Sequence, residues 1–124
     1  MNSKFTMIVR IALGILLVVF GANKLFPFLP MPEPSGEAAA FMSSLGATGY
    51  IFPTLGVLEV AIGLMLLTKK WVPFAIVLLA PISINILLFH LFLAIPGMAI
   101  ALLVAIFNAI LIYKHWRLYK PLFI

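Results

Sequence analysis

The chain has 124 residues, of which 65% are hydrophobic and only 9% are charged, and its mean hydropathy is +1.28. A soluble domain is close to half apolar and a quarter charged, and so short a chain cannot bury this much apolar surface within itself. The composition therefore excludes an ordinary soluble globule and indicates a membrane protein. The net charge of +5 does not indicate nucleic-acid binding, because the basic residues stand at the ends of apolar segments. The absence of cysteine excludes disulfides and thiol chemistry within the chain.

Four apolar stretches follow one another, and each is long enough to cross a bilayer as a helix. They cover approximately residues 7–26, 50–68, 72–93 and 97–114. The first has the basic start of a signal peptide but no small-residue cleavage site, so we expect it to be retained. The sequence predicts an all-α fold, an integral membrane four-helix bundle that forms one domain over residues 1–124.

The connections between these spans are unequal in length. Two are turns of a few residues, which make neighbouring helices antiparallel. The outer loop, residues 27–49, is long and begins with a proline-rich segment, which is expected to be extended. Ser35 is expected to cap a short helix within it that Gly46 ends. The loop either rests on the bundle or forms a lid over an outward-facing cavity.

Basic residues predict the orientation in the membrane. Seven of the eight lie on one side: Lys4, Arg10, Lys69, Lys70, Lys114, Arg117 and Lys120. The positive-inside rule makes that side cytoplasmic. The other side carries Lys24, Glu33 and Glu37. Both termini are therefore predicted to be cytoplasmic.

Glu59 stands near the middle of the second span. An ionisable group at that depth costs at least about 2.5 kcal/mol to insert and is a candidate functional group. Gly56 and Gly63 share its helix face, and small residues let helices approach closely in lipid, so Glu59 is expected to face another helix. On the first span, Arg10 and Lys24 each lie about seven residues, or roughly 10 Å, from the expected level of Glu59. The alternative to a functional role is an interhelical hydrogen bond or ion pair.

Further polar side chains run from the level of Glu59 towards the outer surface. The candidate ligand-binding or proton-relay residues are Glu59, Lys24, Asn23, Asn85 and His90, with Arg10 and Asn108 as secondary candidates. A few polar groups within an apolar wall suit a lipophilic ligand with a polar head. The alternatives are packing hydrogen bonds for the asparagines and headgroup contact for His90. No close pair of carboxylates exists, so no metal site is predicted.

Several short motifs accompany these spans. They are Arg10-x3-Gly14 with Gly21-Ala22-Asn23-Lys24-Leu25, Leu55-Gly56-x2-Glu59-x3-Gly63, Asn85-x3-Phe89-His90, and Tyr119-Lys120-Pro121-Leu122. With the chain length and the number of spans, they resemble the DoxX family of bacterial and archaeal membrane proteins. The resemblance implies a four-helix bundle in the cell (inner) membrane and a link to quinone-dependent redox complexes. It supplies no agreed catalytic residues.

Three functions follow as hypotheses. The chain binds a quinone or similar lipophilic molecule within a redox-associated complex, with Glu59 relaying a proton. Alternatively it is an oligomeric conduit for protons or a small solute, or a purely structural or assembly subunit. No self-contained catalytic constellation is present, so the sequence leaves open whether the chain belongs to an enzyme. The expected partners are the lipid bilayer, further copies of the chain or a redox protein.

The predicted topology can be tested with single cysteines, because the chain has none of its own. Cysteines at Ser35 and Thr68 should react with a membrane-impermeant thiol reagent from opposite sides of the membrane. The measurement compares labelling of intact cells with that of permeabilised cells. Labelling of both positions from the same side would contradict the topology.

Overall fold

The computed structural model describes residues 3–31 and 33–124, and these form helices joined by turns. The helices are α1 (Lys4–Leu25), α2 (Gly36–Ala47), α3 (Ile51–Thr68), α4 (Val72–Leu93), α5 (Met98–Lys114) and α6 (Trp116–Tyr119), with 3-10 turns at Ile95–Gly97 and Lys120–Phe123. Within these described residues, four segments are long and apolar enough to span a membrane: α1, α3, α4, and α5 with the turn before it. The predicted all-α membrane bundle with four spans is confirmed.

The ends of the spans follow from local chemistry. The Ser3 hydroxyl accepts the Thr6 amide at 3.1 Å and caps the start of α1. Lys69 ends α3 with a φ of 58°, and Trp71 precedes α4 with a φ of 55°. Both lie in the left-handed region that non-glycine residues rarely adopt, and together they make a tight α3–α4 turn. Helix α4 continues unbroken through Pro81.

The four spans form a closed ring of neighbours. Helix α1 packs chiefly against α3 and helix α4 against α5, while contacts of α1 with α5 and of α3 with α4 complete the bundle. Its core consists of buried apolar side chains, the largest being Leu13, Ile62, Leu66, Ile76, Leu79 and Leu111. Large apolar side chains such as Ile15, Ile84 and Ile106 also cover the outside. Such a surface is suited to lipid, where it needs no protein cover.

Two pairs of glycines bring the backbones of α1 and α3 into direct contact. A Cβ atom on Gly63 would lie 2.8 Å from the carbonyl oxygen of Gly14, and one on Gly56 would lie 3.0 Å from that of Gly21. Any larger side chain would push the helices apart. The predicted glycine face is therefore the α1–α3 interface, packed as small residues pack in membranes.

This contact sets a register that differs from the predicted one. The sequence predicts that Lys24 lies about seven residues from the level of Glu59, but Gly21 lies at that level: its Cβ would be 2.9 Å from the Glu59 Cβ. Lys24 is consequently one helical turn from the carboxylate instead of two. The prediction assumed equal depth from the helix ends, whereas the fit of the glycine pairs decides the register.

Helix α2 of the long loop rests on α3 and on the last turns of α4. Ala38 of α2 is 2% exposed, and the ring of Phe41 stacks on Phe89 of α4 with centroids 5.7 Å apart. The expected short helix forms, but it ends at Ala47, one residue after Gly46. The Ser35 side chain makes no capping bond to any described residue.

The chain after α5 folds back onto the start of α4. Tyr119 of α6 is buried, and its hydroxyl donates to the Pro73 carbonyl at 2.6 Å. Burial raises the pKa of the Tyr119 phenol to about 12. This bond ties α6 to the same end of the bundle as the α3–α4 turn.

The glycine contact predicts a large cost for a single methyl group. Gly63→Ala should destabilise the fold by about 1–3 kcal/mol, because the new Cβ would meet the α1 backbone. Gly46→Ala is the matched control, since its Cβ would have only ordinary contact with Phe52, at 3.7 Å. It should be neutral or slightly stabilising, as alanine favours helices. Unfolding in mixed micelles measures both variants, and equal stability would refute close packing at Gly63.

Candidate functional site

Glu59 is enclosed within the bundle. Its side chain is 2% exposed and lies on the α3 face that meets α1. One carboxylate oxygen, Oε1, accepts a hydrogen bond from Lys24 Nζ at 2.9 Å. The other, Oε2, is buried and has no hydrogen-bond partner among the described residues. A buried acceptor without a donor is unfavourable, so this oxygen is the least satisfied group of the site.

Lys24 binds this buried carboxylate and also reaches the surface of the bundle. It stands in the last turn of α1, where the helix dipole favours a cation. Its side chain is 28% exposed, whereas that of Glu59 is almost fully buried. An ammonium group has three donors, and the one bonded to Glu59 leaves capacity for a further acceptor. The pair thus combines a hydrogen-bond donor, Lys24, with an unsatisfied acceptor, Glu59 Oε2.

Asn23 fixes the chain next to the pair. Its Oδ1 accepts the backbone amides of Phe28 and Leu29 at 2.9 and 2.8 Å. These bonds hold the start of the long loop against the end of α1. The structure therefore gives Asn23 a positioning contact beside Lys24.

The structure does not bring Asn85 or His90 into hydrogen-bond contact with Glu59. Asn85 is exposed, and its amide donates to the Pro81 carbonyl of its own helix at 2.8 Å. His90 Nδ1 lies 3.0 Å from the Ala94 carbonyl, and its ring packs where Gly97 has no side chain. The outward pocket that was expected to gather these groups is thus not formed by direct contacts. Ligand roles for both residues stay predictions.

Asn108 belongs to a separate buried cluster between α4 and α5. Its Nδ2 donates to the Ile76 carbonyl at 2.9 Å, and its Oδ1 accepts the Ser83 hydroxyl at 2.9 Å. Asn108 and Ser83 are each 3% exposed. Sequence reasoning did not pair them. Ser83 follows Ile76 by seven residues and so lies on the same face of α4, which is the sequence feature that places both beside Asn108.

Arg10 serves the opposite end of the α1–α3 pair. Its guanidinium donates to the Leu66 carbonyl in the last turn of α3, where cations complement the helix dipole. Of the two basic residues considered as partners of Glu59, only Lys24 bonds to it in the described chain. No three His, Asp or Glu side chains among residues 3–31 and 33–124 are placed to hold a metal ion.

The buried pair predicts strong coupling between its two members. Lys24→Met leaves Glu59 enclosed without its cation, and removal of one partner of a buried pair costs up to about 3–5 kcal/mol. Glu59→Gln should cost less, because Lys24 is partly exposed and can reach water. The double variant should be more stable than the sum of the single effects predicts.

Unfolding of the four proteins in mixed micelles measures this coupling. Lys4→Met, an exposed position at the other end of α1, controls for the loss of a positive charge. Strictly additive effects would show that the two side chains do not interact.

The comparisons with known proteins bear on the spans that carry this pair. The model of the DoxX family matches residues 5–92, which contain Lys24, Glu59 and nearly all of α1 to α4. No curated protein and no solved structure matches the chain. Because the matched segment is well over half of the sequence, the chain belongs to the DoxX family of membrane proteins.

Proposed function

We propose that this protein binds the polar head of a quinone or a similar lipophilic molecule at the Lys24–Glu59 pair, as the membrane part of a redox-associated complex. The observation that carries the proposal is Glu59 Oε2, a buried acceptor with no donor in the described chain. A purely structural ion pair would be expected to satisfy both carboxylate oxygens.

The pair complements both redox forms of a quinone. A quinol hydroxyl donates a hydrogen bond, which Glu59 Oε2 can accept. A quinone carbonyl accepts one, which the Lys24 ammonium can donate beside its 2.9 Å bond to Oε1. Bonds to charged groups are worth about 1.5–3 kcal/mol, so either contact would contribute substantially to affinity.

The surroundings of the pair suit the rest of such a molecule. Partial exposure of Lys24 provides an approach from the end of α1. The outside of the bundle is covered by apolar side chains, so an isoprenoid tail can remain in the bilayer. Oxidation of a bound quinol releases two protons and two electrons: Glu59 would receive the proton of the hydroxyl that it binds, the second proton would pass to water, and both electrons would pass to a redox partner protein.

The α1–α3 contact favours a binding site over a conduit. On the side of Glu59 towards Arg10, the backbones meet at Gly14 and Gly63, where even a methyl group has no room. A file of water molecules along this interface would need the helices to separate. A head group that enters beside Lys24 does not have to pass this glycine contact.

The test is a quinone-binding titration of the protein in nanodiscs. Glu59→Gln keeps the size of the side chain but removes its charge, and it should weaken binding of the quinol form at least about tenfold, as the loss of one charge-assisted bond implies. Glu37→Gln is the matched control: the same substitution at an exposed carboxylate of α2. It should leave binding unchanged.

Two results would refute the proposal. One is the absence of binding by wild-type protein to both quinone and quinol, and the other is equal affinity of the Glu59 and Glu37 variants. Retained folding of Glu59→Gln, followed by circular dichroism, separates a lost contact from a lost fold.

A further inference from the structure

We infer that the opposite end of the bundle carries a second site, which binds a phosphate group in a cavity between the start of α1, the α3–α4 turn and the end of α5. This end is called the basic end, after Lys4, Arg10, Lys69, Lys70, Lys114, Arg117 and Lys120. The inference concerns residues distant from Lys24 and Glu59 and does not depend on the proposed quinone site.

The cavity has a volume of about 330 Å³ and is lined by groups from several elements. Arg10, Ser3 and Thr6 come from the start of α1, Lys69 comes from the α3–α4 turn, and His115 follows α5. The volume is at the lower end of small-molecule sites and is large enough for a phosphate head group. The fold therefore assembles cationic and hydroxyl groups that are far apart in the sequence.

The cations of this cavity have no acidic side chain to neutralise them. The chain has only three acidic residues, Glu33, Glu37 and Glu59. The first two flank the start of α2 in the loop at the other end of α1, and Glu59 is bonded to Lys24. An anion for Arg10 and Lys69 must therefore come from the solvent or the membrane.

The individual groups are held so that donors remain for such an anion. Arg10 donates to the Leu66 carbonyl, which fixes a guanidinium that has five N–H donors in total. His115 Nδ1 lies 2.8 Å from the Leu111 carbonyl. Because a carbonyl only accepts, Nδ1 carries the hydrogen, and Nε2 of the neutral ring is an acceptor; the donors for an anion therefore come from Arg10 and Lys69. Arginine in particular binds phosphate through two parallel hydrogen bonds.

The α3–α4 turn places two of the lining residues by an uncommon backbone conformation. Lys69 and Trp71 both have a positive φ, although neither is glycine, and both line the cavity. The Trp71 side chain is strongly exposed, as expected at the boundary between lipid tails and head groups. The cavity thus opens at the depth where lipid phosphates lie. The phosphate is carried either by an anionic phospholipid or by a free phosphate compound, and the chemistry of recognition is the same.

The experiment compares two double variants that lose the same charge. Arg10→Gln/Lys69→Gln removes the cations of the cavity, and Lys70→Gln/Lys120→Gln removes two basic side chains of the same end that do not line it. Each protein is reconstituted in nanodiscs of phosphatidylcholine, with and without phosphatidylglycerol. Bound lipid is counted by native mass spectrometry, and Tm is measured in both lipid compositions.

Wild-type protein and the Lys70/Lys120 variant should retain one phosphatidylglycerol and show a higher Tm in its presence. The Arg10/Lys69 variant should lose the retained lipid and bind it at least tenfold more weakly. Lys69→Gln alone, which leaves the Arg10–Leu66 bond intact, should weaken binding several-fold and guards against misfolding of the double variant.

Inorganic phosphate added to phosphatidylcholine nanodiscs identifies the source: an equal rise in Tm supports free phosphate as the ligand, and no rise supports the lipid.

Two outcomes would overturn the inference. Equal loss of binding in both double variants would show a diffuse attraction of charge without a defined site. A wild-type protein that responds neither to phosphatidylglycerol nor to inorganic phosphate would show that the cavity binds no phosphate group.

Discussion

The direct backbone contact between α1 and α3 is the constraint on which the rest of the structure depends. Gly14 meets Gly63 and Gly21 meets Gly56, at distances that leave no space for a methyl group. In lipid, helix association relies on packing and polar contacts because the tails are as apolar as the side chains. This contact supplies the packing, encloses Glu59 and brings it within reach of Lys24.

The polar groups divide between the two ends of this helix pair. Near one end, Lys24 bonds to Glu59, and the other carboxylate oxygen is buried with no partner among the described residues. At the other, Arg10 bonds to the Leu66 carbonyl beside a cavity that has cations but no acidic side chain. At the first end, Glu59 Oε2 therefore lacks a hydrogen-bond donor, and at the other end the cations of the cavity lack an anion. This difference explains why a hydrogen-bonding head group is proposed for the first site and a phosphate for the second.

Much of the architecture was predictable, whereas the site was predictable only in part. Long apolar runs have few alternatives to spanning helices in lipid, because each backbone polar group must be satisfied internally. The position of Glu59 between two glycines indicated correctly that it faces another helix. Asn85 and His90 could not be placed in the same way. A polar side chain can satisfy itself on its own helix, as Asn85 does with the Pro81 carbonyl, and local spacing does not exclude this.

The sequence by itself determined the four spans, the helix face that carries Glu59 and the concentration of basic residues at one end. These properties depend on hydropathy and helical periodicity, which are local. Only the tertiary structure decided that Lys24 and not Arg10 is the partner of Glu59, and that Ser83 pairs with Asn108. The register between two helices depends on how their surfaces fit together, and no property of either helix alone contains it. The carboxylate was thus visible in the sequence, while its cation and its unsatisfied oxygen became visible only in the folded bundle.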